Sequence, residues 1–149
     1  MKKWMAVLLA AALLLAAGGC SIKVKKDTFS IPMDLVKSVE VQREYFDEQG
    51  KAYFCRKLVT GEDDMVKICD IIRTLPVERA SKNEPHPITD FPIIVILRGA
   101  KDHHLILTEN MAYYDRLAYT YKDNKTFEVF KTLYDNLGYA EEPTDPDRF

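Results

Sequence analysis

Several residue types are scarce in this 149-residue chain, and each scarcity removes a class of function. Of six glycines only Gly50, Gly61, Gly99 and Gly138 lie beyond residue 19. They are too widely spaced for a glycine-rich loop that cradles a phosphate. The histidines are His86, His103 and His104. Adjacent residues on a strand point to opposite faces, so His103 and His104 are poorly placed to share one metal ion. No HExxH, no pair of CxxC motifs and no GxSxG elbow occurs, so neither a metal nor another cofactor is expected. Positive charge has no excess: 21 basic side chains stand against 23 acidic ones, a formal charge of −2. Without a basic stripe the chain is a poor candidate for nucleic acid. Long apolar runs are also missing. The longest, Trp4 to Ala17, is about fourteen residues, short of the roughly twenty that span a bilayer.

What is present is concentrated at the N-terminus. Lys2 and Lys3 precede that run, and Ala16-Ala17-Gly18-Gly19-Cys20 follows it. A basic start, a short apolar stretch and a small-residue cleavage site have the form of a secretory signal. Ending at a cysteine, it resembles the lipobox of bacterial lipoproteins. The family's commonest pattern has leucine three residues before the cysteine; Ala17 stands there, with Leu15 two residues earlier. The resemblance implies a signal peptide over 1–19 and a mature chain that begins at Cys20. It further implies acylation of Cys20, with fatty chains such as palmitate, and an extracytoplasmic domain held to the cell membrane. Two chains are what stable anchoring takes. The mature chain loses Lys2, Lys3 and the sole tryptophan, Trp4, which leaves 19 basic side chains against 23 acidic, a balance of −4.

Residues 20–30 read as a polar tether, 31–140 as one domain and 141–149 as a disordered acidic tail. Val39, Val41, Arg43 and Tyr45 alternate with Glu40, Gln42 and Glu44, the pattern of a half-exposed strand. Gly50 supplies the bend to a second strand over 52–59. Thr60 is placed to cap a helix whose apolar stripe is Met65, Ile68, Cys69, Ile72 and Leu75, and Pro76 ends it. Residues 77–90 read as a loop. Phe91–Leu97 is β-branched and apolar, a central strand buried on both faces. A strand follows over 103–108, and 111–122 holds one strand or two, with Asp115-Arg116 the place for a break. Asp123 or Asn124 caps a last helix, and Gly138 sits where a helix ends. The order β-β-α-β-β-β-α predicts an α+β fold, a two-layer sandwich with a mostly antiparallel sheet and two helices on one face.

Within that frame three groups of residues merit attention. Tyr113, Tyr114, Tyr119 and Tyr121, with Arg116 at the bend, form a ligand surface or else fill the core. Cys55 and Cys69 either pair as a disulfide, which an extracytoplasmic location permits, or are two buried thiols. Glu109 and Asp115 are candidate acids for chemistry on a glycan or peptide, whereas the acids Glu62, Asp63 and Asp64 suit a helix N-terminus. The resulting expectation is a lipid-anchored binding or interaction domain for an envelope protein or glycan, with no catalytic residue assigned. The alternative is an envelope hydrolase.

Overall fold

The computed structural model describes residues 29–81 and 92–145. The expected signal peptide, Cys20 and the first part of the tether lie outside the described residues. So do 82–91, within the expected loop, and the last four residues. The strands are β1 (Val36–Phe46), β2 (Ala52–Val59), β3 (Val77–Arg79), β4 (Ile93–Gly99), β5 (His103–Leu107), β6 (Met111–Tyr114), β7 (Leu117–Tyr121) and β8 (Glu141–Thr144). The helices are α1 (Glu62–Arg73), between β2 and β3, and α2 (Thr126–Asn136), between β7 and β8. Among the described residues the fold is α+β: one open antiparallel sheet of eight strands in the order β3-β7-β6-β5-β4-β1-β2-β8, with two helices.

The order differs from expectation by β3 and β8, and by the division of 111–122 into β6 and β7. β3 lies in what reads as loop and pairs with β7, Val77 opposite Tyr121. β8 lies in what reads as acidic tail and pairs with β2, Lys57 opposite Glu141 through Phe54 opposite Thr144. Both are short edge strands that contribute backbone pairing more than apolar burial. The glutamates and Pro143 of β8 also suit an edge, where charge and a missing N–H discourage further pairing.

Local chemistry explains most element ends. Gly50 takes φ 76 in the β1–β2 turn, and Asp47 Oδ1 accepts from the N–H groups of Gln49 and Lys51. Asp115 and Arg116, at φ 45 and 72, make the tight β6–β7 bend. The Asp115 carboxylate offsets the strain of that backbone by accepting from His104 N–H at 3.0 Å and meeting His103 Nδ1 at 2.6 Å. Asp123 caps α2, its Oδ1 accepting from the N–H groups of Lys125 and Thr126. One expected cap fails. Gly61, not Thr60, is the N-cap of α1. Tyr139 Oη accepts from Gly61 N–H at 3.1 Å and donates to Asp64 at 2.9 Å. A side chain at Gly61 would meet that hydroxyl at 2.5 Å. At the end of α2 the carbonyls of Tyr134 and Leu137 accept from Lys57 Nζ at 2.8 and 3.0 Å. A cation from a distant strand therefore stops this helix, on the side its dipole favours.

The stripes of both helices, Ile68, Cys69 and Ile72 with Phe127, Phe130, Leu133 and Tyr134, join one cluster with Val39, Val41, Val59, Ile93, Val95, Leu97, Leu105 and Leu107. Each large aliphatic chain buried there contributes roughly 1.5–3 kcal/mol. Phe29 and Ile31 belong to the same cluster, so the core includes residues of the expected tether. Ile94, Ile96, Ile106 and Tyr113 form a second cluster. They alternate with the first set along the strands and so occupy the other face of the sheet. Glu40 and Gln42 are 4% and 1% exposed. The expected half-exposed strand is buried through its middle because β1 lies between β4 and β2.

Candidate functional site

Where the start of β4 passes the N-terminal half of α2, a cleft of about 270 Å³ opens. Its floor is apolar, made by Ile93 and Phe127. Its rim carries both charges, Arg43 and Lys131 against Glu44 and Glu109. Each cation is positioned by a neighbour. Arg43 Nη1 donates to Asp135 Oδ1 at 2.5 Å, and its guanidinium stands 5.1 Å from the Tyr45 ring centre and 5.8 Å from that of Tyr134. Lys131 Nζ donates to Glu128 at 3.0 Å and lies 5.9 Å from the Phe127 ring centre. Contact with aromatic rings limits the freedom of these chains. A second groove, about 190 Å³ between the end of α1 and the start of α2, is lined by Ile71, Leu75, Pro76 and Val129 among others.

The tyrosines do not make one exposed surface. Tyr113 and Tyr114 are 5% and 8% exposed and belong to opposite faces of the sheet. Tyr114 stacks on Phe29 at 4.4 Å, and Tyr119 meets the same ring edge-on at 5.0 Å. Tyr121 Oη donates to the carbonyls of Thr108 and Met111, 2.8 Å from each. Burial pushes the Tyr114 hydroxyl up to about 12, and its oxygen has no hydrogen-bond partner among the described residues. Of the expected surface only Arg116 is exposed, at the tip of the bend. Phe29, which reads as tether, packs against Tyr114 and Tyr119.

Cys55 and Cys69 are both buried free thiols rather than a disulfide. Cys55 sits on β2 beside Glu141, and Cys69 on the inner face of α1. Burial holds the Cys69 thiol up at about 11, so it is protonated and inert near neutral pH.

The acids expected to cooperate are separated. Glu109 is in the β5–β6 turn and Asp115 in the β6–β7 turn, at opposite ends of β6. At about 3.4 Å per residue the two stand roughly 15–20 Å apart, beyond the roughly 10 Å at most that glycosidase carboxylate pairs require. Glu62 and Asp63 are exposed at the start of α1. No group of three metal-ligating side chains converges among the described residues.

No family model, curated protein or solved structure matches the chain.

One further polar constellation lies on the sheet face that carries Ile94 and Ile96. Glu40 accepts from Arg98 at 3.0 Å and from Gln42 at 2.8 Å, with Arg56 at 3.8 Å. Arg98 also clamps Asp102 at 2.6 Å, and Arg56 holds Glu142 at 3.2 Å. These ion pairs bridge β4, β1, β2 and β8, while Arg56 Nε is buried without a hydrogen-bond partner among the described residues. No helix among the described residues is long and apolar enough to cross a membrane.

Proposed function

We propose that the chain is a membrane-anchored extracytoplasmic lipoprotein whose single domain, a two-layer sandwich with both helices on one face, binds a small ligand and carries out no reaction. The anchor rests on the N-terminal pattern that ends at Cys20. The binding reading rests on one observation: the cleft sets Arg43 and Lys131 against Glu44 and Glu109 over an apolar floor of Ile93 and Phe127. That arrangement complements a molecule with a carboxylate, an ammonium and an apolar body, as at a peptide end or in an amino acid. Few polar groups converging over an apolar surface are what small-ligand sites have in common.

Two measurements test the two halves. Labelled palmitate is expected to enter the wild-type chain and to be absent from Cys20→Ala when both are expressed in a bacterial host. Label in the variant refutes anchoring at Cys20. For the cleft, the zwitterionic dipeptide Gly-Phe is titrated into the folded chain while the amides of Ile93 and Phe127 are followed by NMR. Saturable shifts are expected, weakened about tenfold in Arg43→Gln, since a charge-assisted bond to a carboxylate is worth about 1.5–3 kcal/mol. No shifts at millimolar dipeptide refute the site. The alternative, an envelope hydrolase, keeps one observation, that Glu44 and Glu109 line the same cleft. Hydrolysis of the dipeptide during the titration would establish it.

A further inference from the structure

The last strand is held in an unusual manner. β8 pairs with Phe54–Lys57, four of the eight residues of β2. None of its residues belongs to either apolar cluster. Side-chain recognition is instead by charge, on alternate faces. Glu141, on the helix side, accepts from Tyr134 Oη at 2.9 Å and from Tyr45 Oη at 3.4 Å. Glu142, on the other side, accepts from Arg56 at 3.2 Å. Beyond the two ends of this short pairing stand Tyr53 and Leu58, each 46% exposed and on opposite faces. Main-chain pairing for affinity and alternate side-chain recesses for specificity are the elements of recognition by strand addition.

We infer that the outer edge of β2 is a strand-addition site for an extended partner segment, acidic at its centre and apolar at both ends, and that β8 occupies it from within the chain. The acidic centre is specified by what β8 already uses, the tyrosine pair and Arg56. The apolar ends are specified by Tyr53 and Leu58. An attached strand competes at an effective concentration in the millimolar range. An eight-residue partner strand competes by pairing with all of β2 and by covering the two apolar side chains that β8 leaves bare. A segment with no buried apolar group opens at low free-energy cost.

The test uses the full chain, wild type and Glu141→Gln/Glu142→Gln, and two fluorescent peptides, Thr-Val-Glu-Glu-Val-Thr-Val-Thr and the same peptide with glutamine for both glutamates. Anisotropy is expected to show the acidic peptide binding the double variant at least tenfold tighter than wild type, and the glutamine peptide at least tenfold weaker than the acidic one. In wild type, bound peptide should speed amide exchange over Glu141–Thr144. Tyr53→Ser/Leu58→Ser, which leaves β8 in place, should weaken binding, and this variant serves if the first misfolds by circular dichroism. Absence of binding to every folded variant, equal affinity for the two peptides, or self-association of the double variant without peptide would overturn the inference. The last result would make a second copy the occupant.

Discussion

Replacing Arg98 with alanine is expected to lower stability by about 3 kcal/mol in urea unfolding at pH 7, because it strands a buried carboxylate. Glu40 is 4% exposed. Its shortest ion pair is the one to Arg98 at 3.0 Å, since Arg56 stands at 3.8 Å and is itself 40% exposed. Breaking one partner of a buried pair costs about 3–5 kcal/mol, and the remaining contacts from Arg56 and Gln42 place the effect at the lower end. Adding Glu40→Gln to Arg98→Ala should restore part of the loss, since a neutral amide tolerates burial better than an orphaned charge. A single variant within 1 kcal/mol of wild type would show that Arg56 and Gln42 alone suffice for Glu40.

The same arginine has a pH signature. Asp102 is held below the ordinary carboxyl range, first by its hydrogen bond from Arg98, with a further bond from Gly99 N–H. A depressed folded-state value contributes stability above the unfolded value of about 3.9 and loses it as pH falls through the lower folded value. Removing Arg98 shrinks that contribution. The gap between wild type and Arg98→Ala should therefore be wider at pH 7 than at pH 2, and a gap that widens in acid would contradict the assignment.

Lys57→Met is the second large effect, a loss of about 2–3 kcal/mol, or roughly 10 °C in melting temperature for a domain of this size. Methionine keeps the apolar stem but removes the ammonium from the Leu137 carbonyl and leaves the Tyr134 carbonyl only the N–H of Leu137, at 3.3 Å. Lys57 is only 8% exposed, so water cannot readily replace it. The ammonium also lies 4.7 Å from the Tyr134 ring centre, and that contact is lost too. The opposing effect is relief of a buried charge. A methionine variant as stable as wild type would show that burying the ammonium costs as much as its bonds return.

Features with a strong local period were legible in the sequence. Both helices follow from their apolar stripes, β4 from its β-branched run, and the β6–β7 bend from Asp115-Arg116. The features that escaped join residues far apart. Lys57 meets carbonyls 77 and 80 positions away, and Arg98 meets Glu40 across 58. Alternation places Glu40 on a polar face; only the pairing of β1 between two neighbours buries it. β3 and β8 bring short polar segments to the sheet edges, where hydropathy carries no signal. Of the cleft, Glu109 stands out as a candidate acid, but its partners Arg43, Glu44 and Lys131 come from β1 and α2 and share no motif. The tyrosines mislead because density of aromatic residues is the same whether rings face solvent or Phe29.

On the proposed anchoring at Cys20, Phe29 would also set the length of a leash. Eight residues separate Cys20 from Phe29, a reach of about 28 Å at full extension. An anchored domain would stay close to the bilayer, tethered beside the contacts of Phe29 with Tyr114 and Tyr119. A partner embedded in the same leaflet would meet this domain by lateral diffusion, at a local concentration far above what its abundance in free solution provides.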